Sequence, residues 1–284
     1  MEIKRIGVVG CGLMGSGISQ VCAQSGYQVV VSEINDELLN KGLASISLFL
    51  TRNVKKGRVS QAEKDATLAR IKGTTNIKDF GDCDLIIEAA IENMDVKKKI
   101  FAELDRICSK DAILATNTSC LSIIDMATVT TRPEKVLGMH FFNPVPRMKL
   151  LEIVKTIATS DETLEIAKEF GKSIGKTTIV APDTPGFIVN RLLLPFMLGA
   201  FRMLETGGAT KEDIDTGVRL GLGHPMGSLA LADLIGMDTI LFIANAICEE
   251  LKDPLYVPPI ILKKMVAAGW LGRKTGKGFY EYSN

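Results

Sequence analysis

Two rhythms of apolar residues run along this chain. In its first two thirds, short runs rich in apolar residues at 6–9, 29–31, 85–87, 112–115, 136–142 and 150–154, with a further strand candidate at 177–180, alternate with longer stretches in which apolar residues return every three or four positions. Runs of that length without a polar face predict strands buried on both sides, and helical stretches between them predict the crossovers of a parallel sheet. Between Glu33 and the run at 85 lies more chain than one crossover needs. There, Leu38, Leu39, Leu43, Ile46 and Leu50 share a helical face, Gly57 interrupts it, and Ser60-x-x-Glu63 is a capping box ahead of Leu68 and Ile71, so a helical hairpin is expected. Further helices are expected through Ile100, Phe101, Leu104 and Ile107, and over 163–174.

After residue 181 the pattern changes. Pro182-Asp183-Thr184-Pro185-Gly186 cannot continue a helix or a central strand, so the expected domains are 1–184 and 185–284. Beyond it the spacing is helical only, over 187–204, 211–219, 229–251 and 259–268. The stretch 192–201 is apolar nearly all round. A small domain struggles to surround such a helix unaided, which suggests a covering second subunit, hence a homodimer through the C-terminal domain; a central helix in a compact monomer is the alternative.

A nucleotide-binding pattern begins at the first strand. The run 6–9 leads into Gly10-x-Gly12-x-x-Gly15, a helical stretch, the run 29–31 and then Glu33, 18 residues past the last glycine. Gly10 permits the tight turn, Gly12 lets backbone approach a pyrophosphate, Gly15 lets the helix lie close to the strand, and the helix N-terminus offers free N–H groups to phosphates. Glu33 can accept from the adenosine ribose hydroxyls and would repel a 2′-phosphate, so NAD is expected rather than NADP. The cofactor contacts expected from this loop are Gly10, Gly12, Leu13, Met14, Gly15 and Glu33. The fold class expected is therefore α/β: an N-terminal Rossmann-type doubly wound sheet with a helical-hairpin insertion, followed by an all-α C-terminal domain.

Composition narrows the partners. Lys plus Arg (34) nearly cancels Asp plus Glu (33), which argues against nucleic acid or a membrane surface as a general partner. The six cysteines show no CxxC pairing and no metal-ligand spacing with the two histidines, so free thiols, a reducing compartment and no metal are expected. The opening residues already read as the first strand, no leader is apparent, and no apolar run reaches membrane-spanning length, which together suggest a cytoplasmic protein.

Oxidation of an alcohol by NAD needs a base for the hydroxyl proton as hydride leaves. His140 closes the run 136–140, at the strand end where doubly wound sheets bind ligands, whereas His224 sits in a turn-like Gly-His-Pro. Glu152 interrupts the apolar run 150–154 and, if buried, needs a partner; His140 is the candidate, and an exposed strand face is the alternative. Such a pair would orient the imidazole and stabilise its charged form. Ser119, just past the run 112–115, can hydrogen-bond a reacting oxygen or cap the next helix. Asn190, at the start of the first helix after the linker, can serve as a carbonyl donor or be structural. Arg52, Lys55 and Lys56 cluster at the tip of the expected hairpin, either to hold an anion or as a solvated helix end.

Asn117-Thr-Ser119, Met139-His-Phe-Phe-Asn-Pro144, Met148-Lys-Leu-Leu-Glu152, Thr184-Pro-Gly-Phe-Ile-Val-Asn-Arg191 and His224-Pro-Met-Gly227, in this order and across the whole chain, resemble the L-3-hydroxyacyl-CoA dehydrogenase family, most closely its short bacterial 3-hydroxybutyryl-CoA dehydrogenases. The resemblance implies His140 as catalytic base, Glu152 as its partner, Ser119 and Asn190 as substrate-positioning groups, and (S)-3-hydroxybutyryl-CoA and acetoacetyl-CoA as the substrate pair. It also implies cofactor contacts from Glu92, Lys97, Asn117 and Lys274, and coenzyme A along the helical insertion near Arg52, Lys55 and Lys56. Cys120, Ser228 and Ala230 depart from the family pattern without removing a catalytic group. An oxidoreductase acting on L-gulonate and a catalytically idle NAD-binding protein remain the alternatives.

Overall fold

In the computed structural model, which describes residues 2–282, the apolar runs become strands of one eight-stranded sheet. The strands β1 (Arg5–Val9), β2 (Gln28–Ser32), β3 (Ile71–Thr74), β4 (Leu85–Glu88), β5 (Ile113–Thr116), β6 (Val136–Phe141), β7 (Leu150–Lys155) and β8 (Thr177–Pro182) lie in the order β3-β2-β1-β4-β5-β6-β7-β8. Every residue of β4, β5 and β6 is buried, as strands covered on both faces must be. On one face Ile6, Val8, Val29, Val31, Leu85 and Ile87 join Ile18, Val21 and Cys22 of α1 (Leu13–Gln24) in a single core. The other face is so close-packed that a Cβ on Gly7 of β1 would lie 2.6 Å from the Phe80 ring.

The chain divides into two compact units, Met1–Thr184 and Pro185–Asn284. In the first, α2 (Asp36–Lys55) and α3 (Gln61–Ala69) form the helical hairpin; Asn35 caps α2, and Ser60 and Glu63 form the reciprocal capping box of α3. The unit is completed by α4 (Met94–Ile107), α5 (Ile123–Ala127) and α6 (Asp161–Ser173).

Three expectations are corrected. Ile71 does not extend the hairpin: it begins the edge strand β3, whose partly exposed Ile-Lys-Gly-Thr has no apolar run and is held by pairing with β2. The sheet is mixed rather than parallel, because β7 runs antiparallel to β6 while β8 runs parallel to β7. The connection 142–149 contains no helix, and a short helix-free connection returns a chain antiparallel to its neighbour. Finally, the stretch 229–251 is two helices rather than one, bent by 96°.

That break belongs to the second unit, which contains α7 (Val189–Glu205), α8 (Lys211–Thr216), α9 (Ser228–Ile235), α10 (Met237–Leu251) and α11 (Ile260–Ala267). Gly236, at φ 105°, separates α9 from α10 in a conformation that L side chains rarely adopt. The core combines Leu194, Met197, Leu198 and Phe201 of α7 with Leu229, Ala232, Met237, Ile240, Ala244 and Ile247. Leu193, Ala200 and Leu204 of the same helix pack partly against this core, whereas Leu192, Phe196 and Met203 are exposed, Leu192 at 72% and Met203 at 51%. No single helix among the described residues is long and apolar enough to cross a membrane; the bent α9–α10 pair passes on length and composition, but Leu229, Ala232, Met237, Ile240, Ile243, Ala244 and Ile247 of it are buried in this core. The six cysteines are all free, five of them buried.

Candidate active site

At the C-terminal end of β1 the glycines do what their spacing demands. Gly10, at φ 95°, lies so close to β4 that a Cβ there would approach the Ala89 carbonyl oxygen to 2.7 Å. A Cβ on Gly15 would overlap the Gly10 carbonyl, whereas one on Gly12 would meet nothing within 4 Å. Gly12 is also the N-cap of α1 and no side chain caps that helix, so an open approach leads to main-chain donors. Glu33 stands beside the turn: its Oε1 accepts from Cys11 N at 2.9 Å and its Oε2 from Ile34 N at 3.0 Å. Leu13 is exposed, and Met14 packs against the core. An uncapped helix N-terminus, a side-chain-free approach and a carboxylate at the end of β2 are the features that a dinucleotide requires.

His140 and Glu152 are register partners across the antiparallel β6–β7 ladder. Their side chains meet at 2.6 Å, Nδ1 to Oε2, and both are buried. The alternative of Glu152 on an exposed face is thereby excluded. A carboxylate only accepts, so it favours the proton on Nδ1 and leaves Nε2 as the basic position of the ring. The Phe142 ring lies 4.6 Å from the imidazole, centroid to centroid. Asn117 ties this strand to β5: its Oδ1 accepts from Phe141 N at 2.9 Å, beyond the last β5–β6 register pair, Thr116 with Gly138.

Between the glycine turn and His140 lies a buried polar cluster at the ends of β4 and β5. The Lys97 ammonium, 1% exposed, donates to both oxygens of Glu88 at 2.7 and 2.8 Å and lies 3.2 Å from Glu92 Oε2. Glu88 also accepts from Thr116 Oγ1 and Ala90 N, each at 2.7 Å. Glu92 Oε1 accepts from Thr118 Oγ1 at 2.5 Å and Ser119 N at 2.8 Å. Ser119 does not cap the following helix. Asp183 does, accepting from Ile123 N and Ile124 N, and burial raises its carboxyl above the usual range although those N–H groups pull the other way. Cys120 is buried beside Glu92, and burial first, then that carboxylate, pushes its thiol up to about 12, which keeps it in the unreactive thiol form.

Sequence reasoning did not single out Glu88. The available signal was a carboxylate directly after the run Leu85-Ile86-Ile87, but a polar residue at a strand's end is ordinary, and only the pairing with Lys97 distinguishes it.

Arg52, Lys55 and Lys56 are exposed at the C-terminal end of α2. In the second unit Asn190 occupies the first turn of α7, half-buried. Lys274 donates to Asp238 at 2.6 Å; burial raises that carboxyl, but the Lys274 hydrogen bond and main-chain N–H groups outweigh it and leave it below the usual range. His224 lies 5.4 Å from the Phe196 ring, between centroids. Among the described residues no group of three or more His, Cys, Asp and Glu could hold a metal ion.

Residues 5–184 match the family described as 3-hydroxyacyl-CoA dehydrogenase, NAD binding domain, and residues 186–282 match 3-hydroxyacyl-CoA dehydrogenase, C-terminal domain. A 3-hydroxybutyryl-CoA dehydrogenase of Mycobacterium tuberculosis is 47% identical over 282 residues, covering 99% of each chain. The mitochondrial hydroxyacyl-coenzyme A dehydrogenase of Sus scrofa is 43% identical, covering 99% of this chain and 91% of its own. The crystal structure of (S)-3-hydroxybutyryl-CoA dehydrogenase from Ralstonia eutropha superposes with a TM-score of 0.95 at 46% identity, covering both chains fully.

Proposed function

The chain belongs to the 3-hydroxyacyl-CoA dehydrogenase family, and we propose that within it this protein interconverts (S)-3-hydroxybutyryl-CoA and acetoacetyl-CoA with NAD. The observation that carries the reading is the buried His140–Glu152 pair, on the same sheet and at the same strand-end level as the glycine turn. When bound, NAD takes up the hydride from C3 of the hydroxyacyl group, or supplies it in reverse. His140 accepts the hydroxyl proton at Nε2 as that carbon becomes a carbonyl, and returns it in the opposite direction. Glu152 holds the ring and offsets the positive charge it acquires. Ser119 donates a hydrogen bond to the reacting oxygen, and Asn190 is assigned a second donor role from the family resemblance.

The glycine turn, with Leu13 and Met14, receives the pyrophosphate; Glu33 receives the adenosine ribose and selects against a 2′-phosphate. Glu92, Lys97, Asn117 and Lys274 complete the proposed cofactor set. Residues 1–184 act as the NAD-binding domain and 185–284 as the substrate and dimerisation domain. Exposed Leu192, Phe196 and Met203 on α7 support a homodimer through the latter. Arg52, Lys55 and Lys56 are suited to the 3′-phosphate of coenzyme A, and the free cysteines fit a cytoplasmic role in butyrate metabolism.

The test is NADH oxidation with acetoacetyl-CoA, longer 3-ketoacyl-CoA esters and dehydro-L-gulonate in parallel. Acetoacetyl-CoA is expected to give the highest kcat/KM. Turnover of the sugar acid alone would replace the proposal with a gulonate dehydrogenase. NADH binding without turnover of any of them would leave a structural NAD-binding protein.

A further inference from the structure

The Glu88–Lys97–Glu92 cluster holds two carboxylates against one ammonium. Every hydrogen-bonding neighbour of those carboxylates is a donor: Lys97 Nζ, Thr116 Oγ1 and Ala90 N for Glu88, and Thr118 Oγ1, Ser119 N and Lys97 Nζ for Glu92. An arrangement of donors alone suits ionised carboxylates, which only accept. One negative charge is therefore in excess: Glu88 and Lys97 offset each other where water does not reach, and Glu92, at the edge of the cluster, holds the surplus.

The strand order places that charge relative to a bound dinucleotide. Glu33 ends the β2 side and the glycine turn ends β1, so the adenosine half lies toward β2 and the other half must run across the ends of β4 and β5 to reach His140 on β6. Glu88 is the last residue of β4, in register with both Val9 of β1 and Thr116 of β5. The nicotinamide half is also where the oxidised and reduced cofactors differ: its ring is cationic in NAD+ and neutral in NADH.

We propose that this cluster is a charge-setting element for the nicotinamide half of the site, selectively stabilising the oxidised cofactor. The inference rests on NAD as cofactor and on His140 marking the reacting end, but not on the acyl substrate. A cluster that favours the cation makes enzyme-bound NADH a stronger hydride donor: the hydride leaves with its electron pair for the carbonyl carbon of the 3-ketoacyl group, the proton comes from His140, and the ring is left cationic beside the negative charge. For unit charges about 10 Å apart, an effective dielectric of about 20 alters the relative affinity of the two forms by about fifteenfold, and partial screening by water lowers this to about fivefold.

Binding without substrate tests this. Kd for NADH is measured by fluorescence titration and for NAD+ by calorimetry, in the wild type, Glu88→Gln, Glu92→Gln and Glu33→Gln. Glu92 is 27% exposed at its side chain, so its substitution gives a readout even if Glu88→Gln fails to fold. In both cluster variants NAD+ is expected to lose about fivefold more affinity than NADH. Glu33→Gln removes the same charge at the adenosine end and should weaken both forms equally. Equal losses of NAD+ and NADH in the cluster variants would overturn the proposal and leave a packing role, and a comparable selective loss in Glu33→Gln would overturn it in favour of a general charge effect.

Discussion

Both units bury carboxylates, but they use them on different partners. In the helical unit Asp233 accepts from Phe279 N, Tyr280 N and the Tyr282 hydroxyl, each at 2.9 Å, and so clasps the C-terminal segment. Asp215 likewise takes Leu229 N and Ala230 N at the start of α9 and the Tyr280 hydroxyl. These carboxylates satisfy main-chain N–H and phenol groups. In the sheet unit, Glu152 faces an imidazole and Glu88 faces an ammonium. A buried acid meeting main-chain donors anchors the fold; one meeting an ionisable side chain sets that side chain's charge and direction. Burial alone does not separate the two cases, since Asp233 and Glu88 are equally inaccessible.

The comparison breaks first at His140 if it is mistaken. His140→Gln is expected to lower kcat by roughly 10² to 10⁴ while NADH affinity is retained, and Glu152→Gln to lower it by roughly tenfold to a hundredfold as the imidazolium loses its counter-charge. Stopped-flow turnover with a parallel fluorescence titration measures both, and wild-type turnover in either variant would remove that residue from the proton path.

A structural carboxylate should show the opposite profile. Asp233→Asn puts an amide against an N–H donor and should cost about 2–4 kcal/mol of stability in urea unfolding, with NADH affinity of the folded protein changed by less than about twofold. A large loss of NADH affinity at full stability would erase the distinction between the two units.

The smallest effect is expected at the exposed charges. Replacing Lys55 and Lys56 by alanine should raise KM for acetoacetyl-CoA roughly three- to tenfold at low salt, less at high salt, and leave acetoacetyl-pantetheine, which lacks the 3′-phosphate, unaffected. Equal changes with the two substrates would show that the basic tip of α2 acts on folding or closure rather than on coenzyme A.

The chain's local chemistry was legible wherever the physics is local. Gly10 is defined by its positive φ in the turn, Gly15 by the Gly10 carbonyl that a Cβ would strike and Gly12 by the open space beside it, and Ser60 with Glu63 caps its own helix. Glu152 was readable because it interrupts an apolar run, and a charge inside such a run demands a partner. Pairing across the sheet was not. β3 lacks an apolar run and exists because β2 offers it a ladder; β7 reverses direction because of a connection without a helix; Gly236 divides what a continuous helical rhythm had joined. Glu88 shows the limit most clearly: in sequence it is a polar residue closing a strand, and it acquires meaning only when α4 brings Lys97 back over the end of β4. Periodicity, caps and glycine turns depend on neighbours in the chain, so the sequence alone determined them. Strand direction, edge pairing and the partner of a buried charge depend on which distant segments meet, and only the tertiary structure decided those.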